Sequence, residues 1–240
     1  MTEFIIFALI ASLGMIVQSV VGFAGALVAI PLFALTMPPR DAVPAYCVLM
    51  QVVSIYLVRE SRRHVDWRSV RGLLIGGLPG VLIGALGLKY LPLAVIGTTI
   101  SAVTLLFGVF FLSGMRVRIP DHPASELIVG LLSGLLGAIV GSGPPVIVYG
   151  LARGWPKEVF RGSLLAYFFC LGATGVISYA ALGLLSRHWL LLAAGSTPPA
   201  LAAAWLGIQL KQRASEKTFR LIVLITVIAV GLVGLVKYLR

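Results

Sequence analysis

Acidic side chains are scarce in this sequence: the 240 residues hold only eight, Glu3, Asp41, Glu60, Asp66, Asp121, Glu126, Glu158 and Glu216. Every one falls at the start of an apolar run or in a connection, which argues against a proton relay built on a central carboxylate. Cysteine is rarer still. Cys47 and Cys170 each lie inside an apolar run, where packing explains them better than a disulfide or a metal pair. The three histidines, His64, His122 and His188, are isolated and lack metal-ligand spacing. No Walker sequence occurs, and no apolar run places a His or Asp where it can activate Ser142. The sequence therefore gives no support to an enzyme, to direct ATP hydrolysis or to a redox or metal centre, and no cofactor is expected.

What the chain has instead is apolar length. Its residues are 59% hydrophobic and 11% charged, with a mean hydropathy of +1.04, far above the balance of a soluble domain. This predicts an all-α, polytopic membrane protein with lipid around it. The start, Met1-Thr2-Glu3-Phe4, has no Lys or Arg before its apolar run and no small-residue cleavage site after it, so it reads as a first span. The net charge of +11 is spread over short loops, which excludes a nucleic-acid patch and fits membrane topology and an anionic substrate. Arg59-Glu60-Ser61-Arg62-Arg63-His64 is chiefly a topology signal, able to touch acidic headgroups.

The first apolar stretch, from Phe4 to about Met37, would measure roughly 50 Å as one helix, against a hydrocarbon core of about 30 Å. It must break or fold back, and Gly22-Phe23-Ala24-Gly25, with Pro31 beyond, supplies the break. Spans follow at about Ala42–Val58, Arg71–Leu88 and Leu93–Leu112. A second long stretch, Glu126 to about Ala152, is interrupted at Gly141-Ser142-Gly143-Pro144-Pro145. Val159–Leu184, Trp189–Leu210 and Thr218–Leu239 complete the count: about eight spans by hydropathy, and up to ten helical segments if each long stretch is two.

The second half repeats the first. Pro39-Arg40-Asp41 matches Pro156-Lys157-Glu158, Trp67 matches Trp189, Leu86-Gly87 matches Leu206-Gly207, and the Gly-rich breaks match, all displaced by 117 to 122 residues. Repeats of about 3–113 and 126–239 are expected within one transporter domain. If each long stretch is a single crossing with both termini inside, ten of the nineteen Lys and Arg face the cytoplasm. If each goes in and returns, fourteen do: Arg59, Arg62, Arg63, Arg68, Arg71, Arg116, Arg118, Arg153, Lys157, Arg161, Lys211, Arg213, Lys217 and Arg220. The positive-inside rule prefers the second arrangement, with inverted halves and both termini outside.

In inverted-repeat transporters, broken helices from the two halves meet near the midplane and line the substrate site. The segments 22–25 and 141–145 fit that role, since backbone N–H groups at helix N-termini suit an anion without a buried Lys or Arg. The candidate lining is Gln18, Gly22, Phe23, Ala24 and Gly25 at the first break, with Ser19 beside them, and Gly141, Ser142, Gly143, Pro144 and Tyr149 at the second. Tyr46 and Gln51 in the following span join them, as do Ser163 and Tyr167 in the matching span. Arg161, a few residues into a span, is placed to attract or gate an anion, with snorkelling to the interface as its plainer role. For any one of these polar residues an ordinary interhelical contact is the simpler assignment. Gly130, Gly134 and Gly137 have the spacing of close helix packing. Asp41 and Glu158, just after prolines, stabilise helix N-termini.

At Val21-Gly-Phe-Ala-Gly-Ala-Leu-Val-Ala-Ile-Pro31, repeated more loosely at Val140-Gly-Ser-Gly-Pro-Pro-Val-Ile-Val148, the chain resembles the TauE/SafE sulfite-exporter family of bacterial membrane transporters. Length, duplication and the position of both motifs agree across nearly the whole chain. Ala24 and Ala26 stand where glycines are common in the first motif, and Pro144-Pro145 replaces glycine in the second. The resemblance implies a multi-pass protein of the bacterial plasma membrane that exports sulfite or small organosulfur anions such as sulfonates. Alternating access around a midplane site is the expected mechanism. An anion channel of the same architecture and a non-transporting membrane scaffold are the alternatives. The sequence is silent on oligomeric state.

Overall fold

The computed structural model describes residues 2–21, 23–115, 117–120, 122–213 and 216–239, with the side chains of 211–213, 216–220 and 222 left aside. The described residues form ten α-helices: α1 Thr2–Val21, α2 Gly25–Thr36, α3 Pro39–Ser61, α4 Trp67–Tyr90, α5 Leu93–Ser113, α6 Pro123–Val140, α7 Pro144–Ala152, α8 Lys157–Ala181, α9 Arg187–Arg213 and α10 Glu216–Leu239. A short 3-10 turn, Arg62–His64, ends α3. No strand occurs among the described residues. Seven of the helices are long and apolar enough to cross a membrane, counted over the described residues. Much of the outer surface is apolar, as at Leu9, Ile75, Leu82 and Ile177, a surface suited to lipid rather than water.

Local chemistry sets the helix ends. Prolines open α3, α6 and α7 at their first positions, where a fixed φ suits the helix and the missing N–H has no intrahelical partner to lose. Asp66 caps α4 by accepting from the backbone N–H groups of Arg68 and Ser69. Glycine stops α5 at Gly114 and α6 at Gly141, both left-handed.

Each long apolar stretch folds back on itself. The Phe7 ring near the start of α1 stacks on Phe33 near the end of α2, with centroids 4.8 Å apart. Tyr149 of α7 donates to Glu126 in the first turn of α6 at 3.0 Å. Both hairpins therefore return the chain to the end of the bundle it left, and each long stretch is two segments.

The two ends differ in charge. At one, Glu3 meets His188 at 3.1 Å, Arg40 donates to the carbonyls of Leu88 and Leu91, and Lys237 donates to those of Ala34 and Leu35. At the other, Arg161 pairs with Glu60 at 2.9 Å and the Asp66 N–H donates to Ser163 Oγ. Among the described side chains, the first end carries Arg40, Lys89, Arg187 and Lys237. The second carries Arg59, Arg62, Arg63, Arg68, Arg71, Arg118, Arg153, Lys157 and Arg161.

Packing is closest between helices distant in sequence. The main pairs are α4 with α6, α1 with α9, and α5 with α10, while α3 lies against α8. Glycine makes the first of these possible. A Cβ at Gly76, Gly80 or Gly84 would run into the carbonyls of Leu127, Leu131 or Leu135, and one at Gly130 or Gly134 into those of Leu73 or Gly77. Backbones this close make extensive van der Waals contact, which is what holds helices together where lipid removes the hydrophobic drive.

Candidate functional site

The two helix breaks meet at a cavity of about 70 Å³ in the middle of the bundle. A single water needs roughly 10–15 Å³ on this measure, so the space holds a few waters or a small ion. Gln18, Phe23 and Ala26 line it from the first break, and Gly137, Gly141 and Ser142 from the second. One face of α3 contributes Tyr46, Cys47, Gln51 and Ser54, and α8 contributes Phe168, Gly172, Gly175 and Tyr179. Among the described residues, the lining includes no charged side chain.

Most of its polar groups are already engaged. Gln18, 2% exposed, accepts the Gly25 N–H on Oε1 at 3.0 Å. Gln51 Nε2 donates to the Phe169 carbonyl at 3.1 Å, and Tyr179 Oη donates to that of Ala138 at 2.7 Å. Two fully buried hydroxyls, those of Tyr46 and Ser142, have no hydrogen-bond partner among the described residues. A buried polar group left unpaired costs about 1–3 kcal/mol; Ser142 borders the cavity, while the Tyr46 hydroxyl lies by Gly14 and Ala29 where α1 meets α2. Among the described residues the lining thus offers neutral polar groups, with neither a carboxylate nor a fixed cation beside them.

The breaks differ in construction. At the first, the Gln18 side chain satisfies the opening N–H of α2, and Gly25 lies so close to Gly14 that a Cβ would press on its carbonyl. At the second, Gly141 turns the chain at φ +70°, with Ile30 of α2 packed beside it. Ser133 Oγ donates to the Gly143 carbonyl at 2.9 Å. Pro144 and Pro145 then start α7 without an N–H, and Val146 N–H is taken by the Gly143 carbonyl. Exposed backbone donors, expected from the sequence at both breaks, are thus replaced at the second by prolines and at the opening of α2 by a side-chain cap.

Comparison with known proteins adds the family. The model of the sulfite exporter TauE/SafE family matches residues 6–233. The chain belongs to that family. A curated relative, the probable sulfite/organosulfonate exporter TauE of Cupriavidus necator, is 26% identical over 225 residues, covering 89% of this chain and 86% of the relative. No solved structure matches. The chain is a multi-pass protein of the bacterial inner membrane, and its family is one of transporters.

Not every candidate residue of this TauE/SafE chain reaches the cavity. Gln18, Phe23, Tyr46, Gln51, Gly141 and Ser142 line it, while Gly22 lies outside the described residues. Ala24 lines a separate small apolar cavity. Gly25 and Pro144 are buried in helix starts and Gly143 is held by Ser133. Tyr149 stands by the start of α6, bonded to Glu126 and edge-on to Trp155. Arg161 is 6% exposed and gives both terminal nitrogens to Glu60, one of them also to Ser61. Ser163 caps the α3–α4 connection through Asp66. Arg161 and Ser163 together clasp that connection at the basic end, away from the cavity.

Other residues of the lining escaped sequence reasoning. Val43, Cys47, Met50 and Ser54 share one face of α3 with Gln51, a stripe at helical spacing that was legible as a face but not as a cavity wall. Gly172 gives room to the Gln51 amide. Gly137, unlike Gly130 and Gly134, has nothing within 4 Å of where its Cβ would be. It opens space at the cavity instead of sealing a helix contact.

Proposed function

We propose that this TauE/SafE family member exports sulfite or small organosulfonates across the inner membrane by alternating access, with the central cavity as the substrate site. The observation that carries this reading is the buried, unpartnered hydroxyl of Ser142 in a cavity where both helix breaks meet and whose described lining carries no charge. The relative named as a probable sulfite/organosulfonate exporter supports the substrate class.

In this reading, residues 3–113 and 126–239 are inverted repeats. The support is in the exchange of partners: α4 packs on α6 as α9 packs on α1, while α5 meets α10 and α3 meets α8. The basic end is cytoplasmic by the positive-inside rule, and both termini are outside. An inside-negative potential then drives an anion outward by about 2.3 kcal/mol per charge per 100 mV, so uniport suffices. Lipid surrounds the apolar outer surface.

The test is flux of sulfite and of sulfoacetate in proteoliposomes with an imposed potential, empty liposomes serving as control. Saturable flux that follows the potential, and that weakens in Ser142→Ala, is the expected result. Correctly inserted protein that moves neither anion would sink the substrate assignment.

A further inference from the structure

Three cavities stand in a row from the basic end to the middle of the bundle. The outermost is a groove of about 690 Å³ between the end of α5 and α7, whose lining includes Phe111, Met115, Arg118 and Leu151. Next comes an apolar space of about 20 Å³ bounded by Phe111, Phe23, Leu27 and Val227. The third is the central cavity, with Phe23 in its wall. Phe111 is the residue common to the first and second, and Phe23 the residue common to the second and third. Their ring centroids are 5.8 Å apart. Phe23 sits on the break itself, outside any helix, so its backbone is not tied into a helical ladder.

The opposite end is built differently. There α10 packs on α2, the Tyr238 ring fills the space that Gly97 leaves, and Tyr238 Oη donates to the Ala34 carbonyl at 2.6 Å. Under the inverted-repeat reading the counterpart contact is α5 on α7. No comparable packing joins those two helices among the described residues, and the groove occupies the gap.

We infer that the groove between α5 and α7 is the cytoplasmic mouth through which the small sulfur oxyanion reaches the central cavity, with the Phe111 and Phe23 rings as the barrier. This rests on the transport reading above. Arg118 is exposed in the groove wall at the end of the bundle richest in cations, and a field of that sign concentrates an anion at the mouth. The apolar space beyond is too small and too dry for a hydrated anion. A hydrophobic constriction of this kind passes an ion only when it widens and wets, here by swinging the two rings apart.

Cys47 offers a native reporter, since it lines the central cavity and Cys170 is the one other thiol. In Cys170→Ala protein, labelling by 2-sulfonatoethyl methanethiosulfonate, itself a small sulfonate, is timed in inside-out and in right-side-out vesicles. Faster labelling from the cytoplasmic face is expected, slowed by methanesulfonate. Phe111→Ala accelerates it several-fold, and Leu151→Trp, at an exposed position in the groove, slows both labelling and sulfoacetate flux several-fold. Equal rates from the two faces, or rates that ignore both substitutions in protein that carries flux, overturn the proposed route. If Leu151→Trp changes neither quantity, the groove is a lipid-filled surface and the proposal fails. Sided, Phe111-sensitive labelling in protein that moves neither sulfite nor sulfoacetate would instead retire the substrate reading and leave the route standing.

Discussion

The two helix breaks reach the same cavity by different chemistry. At the first, a side chain seven residues back caps the next helix: Gln18 holds the Gly25 N–H. At the second, two prolines remove the N–H groups that would have needed a cap, and the turn is pinned from behind by Ser133 on the Gly143 carbonyl. Each break leaves one buried hydroxyl unpaired, Ser19 at the first and Ser142 at the second, but of the two it is Ser142 that lines the cavity. Two breaks of similar composition need not do matched work. The first break is held by a side-chain cap on a backbone N–H, and the second by prolines together with a side-chain bond to a carbonyl.

That contrast can be broken most severely at Gly143. A Cβ there would overlap the Ser133 hydroxyl and crowd its carbonyl, and overpacking of this kind costs about 1–3 kcal/mol or more. Gly143→Val should give aggregated or strongly destabilised protein on size exclusion and thermal melting in detergent. Gln18→Leu comes next. It leaves the buried Gly25 N–H unpaired, a loss of about 1–3 kcal/mol readable as a lower melting temperature, and an unchanged melt would show that the cap does not hold the first break. Gly141→Ala forces an alanine into the left-handed region at about 1–2 kcal/mol, with Ile30 also obliged to shift. Its melt should fall by no more than that of Gln18→Leu. Ser142→Ala has the smallest effect on the fold, within about 0.5 kcal/mol, because no bond in the structure is lost. Its effect belongs to transport: an oxyanion contact worth about 1.5–3 kcal/mol corresponds to roughly tenfold or more in apparent affinity. Unchanged flux kinetics would put Ser142 outside the site.

Helices and breaks were legible because each rests on local composition: apolar runs of spanning length, prolines at helix starts, and glycine clusters where a helix cannot continue. The hairpin fold-back was legible through charge, since it alone gathers the cations at one end. Side-chain destinations were not. Arg161 reads as a cation entering a span, and its partner Glu60 is a hundred residues away in sequence. Tyr149 reads as a neighbour of the second break, yet in α7 it points to the start of α6. The cavity walls on α3 and α8 depend on which face of each helix meets the other. In a chain apolar on nearly all sides, hydrophobic periodicity does not report that rotation.

The glycine seam between α4 and α6 bears on how the protein is made. Its counterparts join α1 to α9, where a Cβ at Gly207 would meet Ile16, and α5 to α10, where one at Gly231 would meet Leu105. Each seam joins a helix synthesised early to one synthesised late. When residues up to Ser113 have been inserted, α1, α4 and α5 stand in lipid with the faces that form these seams uncovered, since the helices that cover them have yet to be made. Assembly is therefore a late event that waits for the last span, and a gene cut between α5 and α6 should yield stable protein only when both fragments are made in the same cell.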